Sequence, residues 1–281
     1  QNDYVSTCTL KNILLQGVRA LDFEIYSLDD QPVVSTSTTD SYHIKETFNS
    51  INFSEVMQIL DNNAFIYEGG CPNPNDPLIV HLRIKSSNNK MFKNLVKIFK
   101  NTQHILGKDY SYVSHGNNLG DMPVNKFKNK IIVIVDSMNA AVLDTNSDLT
   151  EYINMTSSST YMRLLNYDEE KYPADIDELI SYNSSVGMTF VMPVRGNDPA
   201  NPSRILCHDN GSQMVAMRYQ LFDANLEENE SFFNTHRSAF VPSGKTTKTK
   251  SIKVTLPSAK EKKLLSYAPR NVDLGYVSFK I

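Results

Sequence analysis

The sequence predicts an α/β fold in which a largely parallel sheet is covered by helices. Three observations predict it. Segments of strand character alternate with segments of helical periodicity along most of the chain. Residues 130–136 enclose Ile131, Ile132, Val133, Ile134 and Val135, an unbroken apolar run of the kind found in strands buried on both faces. The length, 281 residues, suffices for one α/β domain around a single sheet. Periodicity does not choose between a doubly wound sheet and a barrel.

The elements follow in order. Apolar residues at helical spacing predict a helix over 10–18, and β-branched and aromatic residues predict a buried strand over 20–27. Ser54 opens a second helix that carries Val56, Met57, Ile59 and Leu60 on one face and ends at Asn62 and Asn63. A loop rich in Pro and Asn, 71–77, leads into an apolar strand over 78–84. The helix over 91–106 places Phe92, Leu95, Val96, Phe99 and Ile105 on one side. After the 130–136 strand, helices are expected at 175–181 and 226–233, and strands at 187–193 and 213–222. From Gly244 the character changes: 251–256 and 273–281 alternate like strands, and lysines crowd the stretch from Lys245 to Lys263. A domain of 1–243 and a Lys-rich, β-rich tail of 244–281 are expected.

Composition excludes several classes. Hydrophobic residues at 40% and charged residues at 21% describe a globular chain. A net charge of −3 gives no basic field for nucleic acid. Cys8, Cys71 and Cys207 form neither a disulfide framework nor a CxxC zinc pair, so a reducing compartment is expected. No stretch reaches the length of about 18 apolar residues needed for a membrane span.

Four ordered segments resemble the X and Y boxes of phosphatidylinositol-specific phospholipase C. They are LLQGVRALDFEIY at 14–26 followed by QPVV at 31–34, PLIVHLRI at 77–84, MPVNKFKNKIIVI at 122–134, and GSQMVAMRYQLF at 211–222. The resemblance implies a (β/α)8 TIM-type barrel with an X-like half at 1–140 and a Y-like half at 160–243. It also implies that the family's first strand, with its histidine, lies before Gln1. NDYVST at 2–7, with KETFNS and VMQIL further on, resembles divergent phospholipase C-like proteins of large double-stranded DNA viruses. A virion or host-cytoplasm location follows from that likeness.

The family cleaves a phosphodiester with two histidines as general base and acid, and in eukaryotic-type members with Ca²⁺. In this chain Thr36 stands at the position of the second histidine, and a hydroxyl does not exchange protons near neutral pH as imidazole does. His43, seven residues on, is the candidate substitute. Asp22 and Glu24 alternate along one strand and so share a face, matching the family's acidic pair as the remnant of a calcium site. Arg83 replaces the third carboxylate, which predicts an ion-pair lock in place of a metal. Ile134 and Asp136 stand where phosphate-binding lysines are expected, while Arg195 and Arg204 are candidates for substrate contact.

These substitutions predict a catalytically degenerate barrel that acts as a structural or interaction protein, with a minor capsid component as the form implied by the viral likeness. No cofactor is then expected, and Ca²⁺ only if the site works. The expected partners are other structural proteins of an assembly, with peripheral lipid contact and neither nucleic acid nor a transmembrane segment. Two alternatives stand beside it. One is an active hydrolase of phosphatidylinositol or a related diester, and the other a lipid-headgroup-binding module that uses Arg195, Arg204 or the lysines of 245–263.

Overall fold

The computed structural model describes residues 4–37, 47–68, 70–114, 119–144, 148–185, 187–196, 198–242, 269 and 271–280. The chain divides into two compact units, 1–247 and 248–281. In the first unit, helix α1 (Cys8–Leu15) precedes strand β1 (Ala20–Leu28), which turns tightly into β2 (Gln31–Ser35). Asp29 and Asp30 make that turn with φ of 49° and 62°, a left-handed pair that short polar side chains tolerate. A short β3 (Ile51–Asn52) leads into α2 (Phe53–Asn63), then β4 (Leu78–Lys85), α3 (Asn89–Lys100) and β5 (Ile131–Asp136). Next come α4 (Ala141–Asp144), β6 (Met155–Ser157), β7 (Met162–Asn166), α5 (Tyr167–Lys171), α6 (Ile176–Ser185) and β8 (Met188–Met192). The unit ends with α7 (Arg204–Asp209), β9 (Met214–Val215) and α8 (Ala224–His236). In the second unit β10 (Asn271–Asp273) and β11 (Ser278–Lys280) pair as an antiparallel hairpin.

Six strands form one sheet in the order β3-β2-β1-β4-β5-β6, and three form another in the order β7-β8-β9. β1, β4, β5 and β6 run parallel to one another, as do β7, β8 and β9. The expected closed eight-stranded barrel is therefore corrected to two open sheets, a six-stranded mixed one with a parallel core and a three-stranded parallel one. Among the described residues no ladder joins β6 to β7 or β9 to β1. Closure requires hydrogen-bonded neighbours all the way round. Residues 31–35 fold back antiparallel on residues 24–28.

Alternation along the strands sorts side chains to two faces. Phe23, Ile25, Leu78, Val80, Leu82, Ile131, Val133 and Val135 point outward and meet the helices. α2 contributes Phe53, Val56, Met57 and Leu60, and α3 contributes Met91, Phe92, Leu95, Val96 and Phe99, all buried. α3 starts where the Asn88 side chain accepts a hydrogen bond from the Lys90 amide, and it ends at Lys100 rather than 106. The opposite face forms a second core across both sheets from Ile132, Ile134, Met155, Met162 and Phe190, with Met188, Met192 and Met214 packed against it. The 213–222 segment pairs only at Met214 and Val215. Beyond them Arg218 turns away, donating its amide to the Asn201 carbonyl oxygen of the side chain at 2.5 Å and its guanidinium to Asp198 at 2.9 Å.

Candidate functional site

The inner face of the first sheet carries a chain of charges set by strand register. The β1–β4 pairing puts Asp22 opposite His81 and Glu24 opposite Arg83. Arg83 lies across both carboxylates. Its Nη2 donates to Asp22 Oδ2 at 2.6 Å, its Nε lies 3.1 and 3.2 Å from Asp22 Oδ1 and Oδ2, and its Nη1 donates to Glu24 Oε1 at 2.7 Å. Glu24 Oε2 accepts from the Tyr26 hydroxyl at 3.2 Å and from the Ser37 amide at 2.9 Å. Every carboxylate oxygen of the pair is thus occupied.

Electrostatics follow the geometry. Burial alone would push the Asp22 carboxyl up, but the Arg83 guanidinium and the His81 hydrogen bond hold it well below the usual carboxylate range. Burial would lower the Arg83 pKa, and Asp22, Glu24 and Asp136 together raise it instead. The Tyr26 phenol is pushed up by burial and by the Glu24 charge. Asp136, buried at the end of β5, accepts the Met138 amide at 3.2 Å.

His81 extends the chain inward. Its Nδ1 lies 2.6 Å from Asp22 Oδ1, and its Nε2 lies 2.7 Å from Ser157 Oγ. Those spacings match a carboxylate–imidazole–hydroxyl relay, but access rules a nucleophile out. Ser157 is 0% exposed and His81 is 1% exposed, with the Phe190 ring edge-on to the imidazole at 5.2 Å. The chain is a satisfied buried network.

Beside this network lies a cavity of ≈ 950 Å³, lined on one side by α1 and β1 and on the other by β9 and α8. Asp22, Glu24, Arg83 and Asp136 line it, and so does the exposed Thr36, which brings no imidazole. Lys85, Arg195 and Arg218 also reach the lining, and only Arg195 among them was singled out from sequence. No lysine stands at Ile134 or Asp136, which both lie on the inner face of β5. His43 lies outside the described residues, as do the lysines from Lys245 to Lys263 and the 251–256 segment.

Arg204, a candidate for substrate contact, is not among the residues that line this cavity. Its guanidinium pairs with Glu228 of α8, donates to His208 Nδ1 at 2.9 Å and stacks 3.8 Å above the Phe232 ring. Burial, helped by that guanidinium, pushes the His208 pKa down to about 4. This cluster clamps α7 to α8.

The donor set does not fit Ca²⁺. A hard cation needs six to eight oxygens in an open shell, whereas Asp22 and Glu24 already saturate their oxygens on a guanidinium, a phenol, an imidazole and an amide. Among the described residues no group of three or more His, Cys, Asp or Glu converges as a metal shell. The cysteines are unpaired thiols, and no described helix is long and apolar enough to cross a membrane. His81 escaped the sequence reading, although its two-residue spacing from Arg83 places both on one strand face.

Comparison with protein-family models and with curated proteins gives no match. Among solved structures the chain is similar to a calcium-dependent phosphoinositol-specific phospholipase C from Pseudomonas sp. The identity is 9%, the TM-score 0.34, and the match covers 70% of this chain and 82% of that one. A likeness of that size transfers no residue and no activity.

Proposed function

We propose that this chain is a catalytically silent phospholipase C-like protein that works by binding other proteins, as a structural or interaction component of an assembly such as a virion shell. One observation carries the reading: the Arg83 guanidinium fills the space between Asp22 and Glu24 and consumes the carboxylate oxygens a metal would use. Two others support it. Thr36 supplies no proton shuttle, and both nitrogens of His81 are engaged in a buried network. Acid–base cleavage of a diester needs a titratable group within reach of the substrate, and no described imidazole meets that need.

A second reading, a metal-independent phosphodiesterase, is favoured by the same guanidinium, which lines the cavity with 21% of its side chain exposed. The two separate in one assay. The full chain is incubated with phosphatidylinositol vesicles and with glycerophosphodiesters, with and without Ca²⁺. No release of phosphorylated headgroup is expected, and turnover that disappears in Asp22→Asn would replace the first reading by the second. Vesicle co-sedimentation in the same series reads out headgroup binding without cleavage.

A further inference from the structure

α8 works on two sides. Asn229, Glu230, Phe233 and Asn234 wall the cavity, while Glu228 and Phe232 meet α7. Its N-terminal end is anchored: Asp223 accepts the Leu226 amide at 2.9 Å and the Asn201 amide at 3.0 Å, and the Asn225 side chain donates to the Asn201 carbonyl at 2.7 Å. Further along, the Arg204 guanidinium joins α8 to α7 through Glu228 and Phe232. The same guanidinium donates to His208 Nδ1 at 2.9 Å, one turn along α7. Arginine has donors and no acceptor, so that nitrogen must be the unprotonated one. A proton there would replace a hydrogen bond by two cations at the same distance. Both would press on one ring, since Phe232 lies 3.8 Å from the guanidinium and 5.5 Å from the imidazole.

We infer that His208 is an acid-sensitive latch: its protonation drives Arg204 off Glu228 and Phe232 and frees the C-terminal half of α8, and with it one wall of the cavity. The latch works whatever the cavity takes, and so goes beyond the function proposed above.

The charges around the imidazole fix the sign. Burial first, and then Arg204, lower the His208 pKa to about 4, while Asp209 on the same helix pulls the other way. From α8, Glu228 is held on the guanidinium, Glu227 and Arg237 are exposed, and His236 Nδ1 donates to the Phe232 carbonyl at 2.9 Å, a bond that protonation preserves. From α5, Glu170 adds to burial in raising the pKa of the neighbouring Cys207 thiol. An imidazole released to water takes its proton near about 6.5. The latch therefore holds fully above that value and is lost as pH falls toward about 4. Burial opposes it, but the Leu226 and Asn201 amides hold the Asp223 carboxyl below its ordinary value, so the anchor at the start of α8 outlasts the latch.

Hydrogen exchange of the full chain, corrected for intrinsic rates, tests this. Amides of 206–210 and 229–236 should open more readily than those of Val80 and Val133. Between about pH 7.5 and about pH 5 their opening constant should rise about 30-fold, the ratio set by a pKa of 6.5 when open and about 4 when closed. His208→Gln keeps an acceptor for Arg204 and takes no proton, so its rise should stay below about threefold. Comparison with that variant cancels Glu170, whose buried carboxyl gains a proton as pH falls and acts in the opposite sense. Nitrogen NMR of histidine-labelled protein needs no variant: His208 Nδ1 should be bare at about pH 7.5, and the ring should titrate at least about one unit below 6.5.

A protonated Nδ1 at neutral pH, titration near about 6.5, or a full rise in His208→Gln overturns the inference. So does opening confined to 206–210 with 229–236 unchanged, or exchange of both segments in one class with Val80 and Val133.

Discussion

At the scale of single residues, the Arg83 fork sets an asymmetric energy. Buried opposite charges gain little over apolar residues of similar volume, yet removing one partner strands the rest. Arg83→Met leaves Asp22 and Glu24 without their guanidinium, so a loss of about 3–5 kcal/mol is expected from urea denaturation at pH 7. Adding Asp22→Asn and Glu24→Gln removes the stranded charges and should recover most of that loss. A triple variant no more stable than Arg83→Met would refute the fork as the source. Asp22, Glu24 and Arg83 were legible in the sequence because two-residue alternation fixes their face and neighbouring strands bring them opposite. The Ser157 contact to His81 was not, because it spans 76 positions and depends on the β5–β6 register. The pairing of Arg204 with Glu228 was not legible for a related reason: Glu228 is on a helix whose packing no local pattern announces.

At the scale of elements, α5 is held by a buried acid. Glu170 is 0% exposed; its Oε1 accepts from the Ser212 hydroxyl at 2.8 Å, and its Oε2 has no hydrogen-bond partner. Burial pushes the carboxyl pKa above its ordinary value. The folded state therefore holds its proton to higher pH than the unfolded chain does. Above the folded pKa the buried charge is a cost, and that cost disappears as pH falls through the folded pKa toward the unfolded one. Glu170→Gln should accordingly stabilise the protein at pH 7 by about 1–3 kcal/mol and progressively less as pH falls to about 4. Thermal melts across that range check the sign, and a gain that grows on acidification would contradict it.

Element legibility followed burial. β1, β4, β5, α2 and α3 pack on two sides or show one apolar face, and their patterns name them. β9 has only two paired residues, and its apolar run continues into a loop anchored by Asn201. The β1–β2 turn relies on two aspartates in left-handed geometry, a preference weaker than that of Asn-Gly.

At the scale of the whole first unit, two sheets share one inner core, but among the described residues only the six-stranded sheet has a full outer core of α2 and α3. Local opening follows buried apolar contact and ladder length. The β7–β9 sheet, ending in a two-residue strand, should open at lower free energy than β1, β4 and β5. Native-state hydrogen exchange measures this directly: amides of Phe190 and Val191 should exchange in an earlier group than those of Val80 and Val133. A single exchange class across both sheets would contradict it. The parallel sheet was legible from composition and alternation, whereas closure was not, because whether edge strands meet depends on long-range geometry.

The fork between β1 and β4 also bears on how such a site is supplied. A guanidinium joined to the backbone has no dissociation constant. Its local concentration is set by bond lengths, not by the surrounding medium. A chelator has no guanidinium to extract, and an ion-poor compartment does not starve the pair of carboxylates of it. The counter-ion is inherited with the polypeptide and comes with every copy of the chain.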